Sequence, residues 1–143
     1  MTEEYKKIKV AYFYTIFRNA AMARWVQNIT DNIDQSRYAV SFVGLKIEES
    51  FKNELPSDVR VVDLSNPYIT TALFKLVLYF RKEHPDIFVS AFPHINTLAM
   101  MAKIISGIQT KVILTDHNHF YGLARNAKSL YRRFFGLFVL PHL

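Results

Sequence analysis

The chain has 143 residues, half of them hydrophobic, no cysteine and a formal net charge of +6. A single domain of this length buries about 70% of its unfolded surface, so neither disorder nor a small disulfide-stapled scaffold fits, and thiolate metal sites are excluded outright. The amino terminus, Met-Thr-Glu-Glu-Tyr-Lys-Lys, carries acids and no apolar core, unlike a signal peptide, and no apolar run approaches the roughly 20 residues that span a bilayer. A reducing cytoplasm is compatible with this composition, and a cytoplasmic location is the expectation, with a peripheral place on the inner face of the membrane left open.

In chain order, residues 8–14 form a nearly continuous apolar run and predict a first, central strand. A turn over 15–19 follows, with Asn19 as the N-cap of a helix whose face is marked by Met22, Trp25, Val26, Ile29 and Ile33. Trp25 is expected in the core. A second strand over 38–44 leads through an irregular or briefly helical stretch, past Phe51 and Leu55, to a third strand over 59–64. After Asn66-Pro67, the spacing of Ile69, Leu73, Leu76, Val77 and Phe80 predicts a strong helix that Pro85 ends.

A fourth strand over 87–92 is followed by a helix with Ile95, Leu98, Ala99, Ala102 and Ile105 on one face and Gly107 as its left-handed cap. The fifth strand lies at 112–114. Alternating strands and helices predict an α/β fold: one Rossmann-like parallel sheet flanked by helices, joined by right-handed crossovers in the order 3-2-1-4-5. All 143 residues form one domain in this reading.

Polar residues gather where the last two strands stop. Pro93, His94 and Asn96 follow the fourth strand, and Asp116, His117, Asn118 and His119 follow the fifth. In open α/β sheets that edge is where ligands bind. His94 and Asn96 begin a helix, where they either hydrogen-bond a ligand or cap the helix. The glycines stand at 44, 107, 122 and 136, so no dinucleotide fingerprint or phosphate loop follows the first strand. Tyr14-Thr15-Ile16-Phe17 stands where a phosphorylation receiver domain would carry acids. A His-x-His pair, His117 and His119, has no supporting carboxylate cluster, so no metal site is expected, nor any cofactor. His84 and His119 read as solvated.

In the order and wording of its segments the chain resembles the N-terminal, acceptor-side domain of the family 4 glycosyltransferases, the retaining GT-B group. The resemblance rests on Lys9-Val10-Ala11-Tyr12-Phe13 with its following helix, on residues 55–64 (Leu-Pro-Ser-Asp-Val-Arg-Val-Val-Asp-Leu), and on Pro85-Asp86-Ile87-Phe88-Val89-Ser90. His94-Ile95-Asn96, Ser106-Gly107-Ile108 and His117-Asn118 complete it. It implies sugar transfer from a nucleotide-sugar donor to a glycan or lipid-linked acceptor, in a cleft between two Rossmann-like domains. His117 would be the catalytic residue beside the reacting sugar, and Arg18, Asn19, Ala20, His94, Asn96 and Asn118 would bind substrate.

In the family, a diglycine after the first strand lets backbone approach the donor phosphates at a helix N-terminus. Ala20-Ala21-Met22-Ala23-Arg24 stands here instead. The second, donor-binding domain that the family places after this one is not within the 143 residues. The expectation is therefore a truncated chain or half of a split enzyme, inactive alone.

From His117 onward there are no acids, while Arg125, Lys128, Arg132 and Arg133 are interleaved with Phe120, Tyr121, Tyr131, Phe134, Phe135 and Phe138. That pattern suits an anionic membrane surface or a partner protein, and equally the core of a larger protein. Nucleic acid, though also a polyanion, is not among the expected partners. Two alternatives to the transferase stay open: a nucleotide-sugar epimerase of the same architecture, and a non-catalytic binding or membrane-docking subunit.

Overall fold

In a computed structural model, residues 6–66 and 68–115 are described. Five strands alternate with four helices. They are β1 (Ile8–Phe17), α1 (Ala20–Asn32), β2 (Tyr38–Ile47), α2 (Glu49–Lys52), β3 (Arg60–Asp63), α3 (Ile69–Glu83), β4 (Ile87–Ala91), α4 (Pro93–Ser106) and β5 (Lys111–Thr115). All strand pairs are parallel, in the order β3-β2-β1-β4-β5, so the α/β fold and strand order expected from the sequence are the ones observed.

Side chains on the two faces of the sheet build two cores. Ala11 and Phe13 of β1, Val43 and Leu45 of β2 and Phe88 of β4 face α3 and α4, meeting Leu76, Phe80, Ile95, Leu98 and Ala102. Phe42 and Ile47 of β2 and Phe17 of β1 face the other way and meet Ala23 and Val26 of α1 and Phe51 of α2. Each fully buried Phe or Leu contributes roughly 1.5–3 kcal/mol over leaving it exposed. Tyr12, Tyr14 and Trp25 pack against this second core, with Trp25 edge-on to Tyr12 at 5.6 Å. Trp25 is half-buried, so the expectation of a core tryptophan is corrected to one at the margin.

The first two strands run three residues beyond their expected ends, and the turn expected over 15–19 shrinks to Arg18 and Asn19. The ladder continues through Ile16↔Lys46 and Phe17↔Ile47. The reason lies at Gly44. A Cβ there would stand 2.8 Å from Ile47 Cγ1 and 2.9 Å from Phe17 Cδ2, so the missing side chain is what lets these two apolar residues close over β2.

α3 ends as Pro85 requires. The residue before it, His84, is exposed and left-handed (φ 48), and its amide bonds the Phe80 carbonyl. Arg81 reaches across to the carboxyl end of α4, donating from Nε to Ser106 O (3.3 Å) and from its guanidinium to Ile105 O (3.0 Å). A cation there satisfies terminal carbonyls and complements the helix dipole. Gly107, at φ 72, supplies the expected left-handed cap. Ile105, expected on the buried face of α4, is 50% exposed; the buried stripe runs through Ile95, Leu98, Ala99, Ala102 and Ser106 instead.

Candidate functional site

The chain leaves β1 toward β2 and, after β3, crosses to β4 on the other side of β1, so the strand order reverses between β1 and β4. In such sheets the loops diverge at that point and leave a crevice outside the carboxyl ends of the strands. The loops flanking it are Arg18-Asn19 after β1 and Phe92-Pro93 after β4.

The β4 side is a tight elbow. Phe92 has φ 80 and ψ 137, a conformation that costs a non-glycine residue on the order of 1–3 kcal/mol. This is why β4 stops at Ala91, one residue short of expectation. Surrounding bonds hold it there. The amides of Ile95 (3.1 Å) and Asn96 (2.9 Å) donate to the Phe92 carbonyl, and the Phe92 amide donates to Thr115 O (3.2 Å). The elbow turns the Phe92 ring edge-on to Tyr14 (5.8 Å between centroids) and parallel to the exposed His94 imidazole (6.2 Å). Tyr14 in turn meets Trp25 at 5.2 Å, so an aromatic wall runs across the switch point from α1 to α4. Desolvation by burial holds the Tyr12 and Tyr14 phenols above their usual pKa.

Arg18 and Asn19 sit on a different level. Phe13 pairs with Ser90, and β1 runs four residues further while β4 runs only one, so the β1 tip projects roughly 10 Å beyond the end of β4. Both residues are exposed. Asn19 caps α1 as expected, its Oδ1 accepting from the Met22 amide at 3.0 Å. Ala20 and Ala21 open the helix and are exposed, so their methyl groups stand in solvent.

Asn96 is where the structure says most. It is 7% exposed and does not cap α4, whose N-cap residue, Phe92, makes no side-chain capping bond. Its Oδ1 accepts from the fully buried Ser90 hydroxyl at 2.6 Å, and its amide donates to Thr115 O at 3.1 Å. Thr115 Oγ1 closes the ring by donating to Ser90 O at 3.1 Å. Ser90, Asn96 and Thr115 thus lock the ends of β4 and β5 and the first turn of α4 into one unit. Sequence reasoning missed Ser90 and Thr115. The available signal was a serine inside the otherwise apolar β4 run.

His117 and Asn118 lie outside the described residues; in sequence they follow the end of β5 by two and three positions. The structure therefore brings Tyr14, Trp25, Phe92 and His94 together, places Arg18, Asn19 and Ala20 at the projecting tip, and holds Asn96 beneath the surface. No group of three or more His, Asp or Glu side chains that could hold a metal gathers among the described residues. A cleft of about 280 Å³ opens at the opposite edge, beside the amino ends of β2 and β3, lined by Lys7, Gln35, Tyr38, Asp58 and Arg60. It is remote from the strand ends where an α/β sheet binds its ligands. No helix among the described residues is long and apolar enough to cross a membrane.

The model of the family described as Glycosyltransferase Family 4 matches residues 22–141. Among solved structures, the chain is similar to a lipopolysaccharide outer core galactosyltransferase, WaaB, in its apo form. The TM-score is 0.63 at 10% sequence identity, over 77% of this chain and 33% of that one. At that identity the likeness is one of fold, and the chain spans about a third of the length of the structure it matches. No curated protein matches it.

Proposed function

This chain belongs to Glycosyltransferase Family 4, and from that premise we propose that it forms the acceptor-side half of a two-domain GT-B transferase. It moves a sugar from a nucleotide-sugar donor to a glycan or lipid-linked acceptor at the cytoplasmic face of a membrane. The observation that carries this reading is the ordered carboxyl edge at the β1/β4 switch point, where the Ser90-Asn96-Thr115 ring fixes the end of β5 two residues before His117. In this reading the His117 imidazole hydrogen-bonds a sugar hydroxyl or stabilises the charge that develops as the donor bond breaks. Arg18, with the free amides at the start of α1, attracts the donor's phosphates, and Asn19 shapes that turn by capping it.

His94, exposed on the aromatic wall, and Asn118 contact sugar hydroxyls. Asn96 acts from below, by holding the β4 and β5 ends in register. The nucleotide-binding half of the cleft lies in a second domain outside these residues.

The test is His117→Ala in a protein carrying both halves of the cleft. Transfer is expected to fall by roughly 10²-fold or more while the melting temperature changes little. A structural histidine would give the reverse, about 1–3 kcal/mol of lost stability with near-normal turnover. The isolated chain is expected to show no transfer and at most weak nucleotide-sugar binding. Micromolar affinity by calorimetry would put the donor site in this domain and overturn that assignment.

A further inference from the structure

Among the described residues, the outer surface of the α3–α4 layer gathers exposed large apolar side chains. α3 exposes Phe74 (78%) and Leu78 (56%), and α4 exposes Met101 (45%), Ile104 (73%) and Ile105 (50%). The spacings are i, i+4 on α3 and i, i+3, i+4 on α4, so each helix carries a stripe in addition to the one it buries. The two helices pack side by side with their carboxyl ends together, since Arg81 of α3 bonds the last carbonyls of α4. The exposed stripes therefore run alongside one another and make one apolar face. Water-facing Phe, Leu and Ile in such a grouping mark a surface with a partner.

The charge around that face selects the partner. Lys75, Arg81, Lys82 and Lys103 come from the two helices, Lys75 and Arg81 with their charged heads bonded to main-chain carbonyls, and the helices' only acid is Glu83. Glu83 is engaged by Arg60, so it does not offset those cations. Protruding apolar side chains accompanied by long basic ones on the same helices are what an anionic bilayer takes up. The apolar groups enter the acyl boundary while lysine stems lie along it and hold their ammonium groups at the phosphates.

We propose that the α3–α4 face is a docking surface for an anionic lipid membrane, with Phe74, Leu78, Ile104 and Ile105 as the inserted side chains and Lys82 and Lys103 as headgroup contacts. This does not rest on the transfer reaction, and its test needs no catalysis.

The intact chain is mixed with vesicles of phosphatidylcholine alone and with vesicles half of whose lipid is phosphatidylglycerol, and the bound fraction is read by co-sedimentation. Binding is expected on the anionic vesicles only, and weakened by 1 M salt, where the Debye length falls to about 3 Å. Phe74→Ser with Ile104→Ser, both at exposed positions, is expected to lower partitioning roughly tenfold or more with an unchanged circular dichroism spectrum. Lys82→Glu with Lys103→Glu is expected to do the same at low salt by removing the attraction.

Equal binding to neutral vesicles, or no binding, overturns the proposal. So does parental binding by both double variants with loss of binding by Arg132→Glu/Arg133→Glu, which would make the C-terminal segment the anchor. An oligomer that Phe74→Ser/Ile104→Ser converts to a monomer, with vesicle binding unaffected, would assign the face to a second copy of the chain instead.

Discussion

The ring of Ser90, Asn96 and Thr115 makes a coupling that can be measured. Asn96→Ala leaves the Ser90 hydroxyl, which is fully buried, without its acceptor at 2.6 Å. An orphaned buried donor costs about 1–3 kcal/mol, and loss of the amide adds to that, although Thr115 O keeps the Phe92 amide at 3.2 Å. We expect about 2 kcal/mol in all. Ser90→Ala strands the Asn96 carbonyl oxygen and is expected to cost about 1–2 kcal/mol.

The double variant removes both partners of one bond, so its cost should fall short of the sum by about 1 kcal/mol. Urea unfolding with an unchanged slope reads all three differences from the midpoint. Additivity to within about 0.3 kcal/mol would mean that the ring is not a unit, and the argument that it fixes the end of β5 would fail with it. Asn96→Asp sharpens the test, because it nearly keeps the shape but turns a carboxylate oxygen toward Thr115 O. Its folded pKa should be raised, so its penalty should be absent in acid and grow as pH rises above the unfolded carboxyl value of about 4.

Two glycines separate two kinds of cost. Gly44→Ala presses a methyl to within 3 Å of Ile47 and Phe17 and is expected to destabilise by about 1–3 kcal/mol through overpacking. At Gly107 a Cβ meets nothing within 4 Å, so Gly107→Ala should cost only the left-handed backbone penalty, about 1–2 kcal/mol, with no shift in packing detected by NMR. Asn19→Ala removes the α1 cap and is expected to lower stability by about 1 kcal/mol in the same denaturant assay.

Strand order and helix placement were legible in the sequence because they follow from local periodicity and the right-handed crossover rule, which need no knowledge of partners. What failed was non-local. The added length of β1 depends on a glycine 27 positions away from Phe17, and periodicity over 8–14 carries no trace of it. Asn96 read as a cap or a ligand because it opens a helix. Its partners are 6 and 19 residues distant, and only the sheet register brings them to it. The elbow at Phe92 was equally hidden, since an aromatic residue ending an apolar run gives no sign of a left-handed backbone. α3 shows the same limit from the other side: Phe74 and Leu78 are as apolar as Leu73 and Leu76, and only burial tells the docking stripe from the core stripe.

Ala20 and Ala21 open α1, where glycines would admit an anion more closely. A diglycine lets an anion approach the first amides of a helix closely. Here Ala20 and Ala21 are exposed, and their methyl groups narrow that approach without packing into the core. Asn19 has already taken the Met22 amide. In the proposed cleft, the longer-range attraction for a donor phosphate at this turn would therefore come from Arg18, an exposed charge on the projecting strand tip, beside the remaining amides of α1. A guanidinium there attracts anions over a distance but is screened by salt, whereas a backbone cradle acts at contact. Donor affinity in the complete cleft should accordingly be salt-sensitive through this half, and Arg18→Gln should abolish most of that sensitivity while leaving the melting temperature unchanged. A donor Kd equally salt-dependent in Arg18→Gln and parent would remove Arg18 from the phosphate's surroundings.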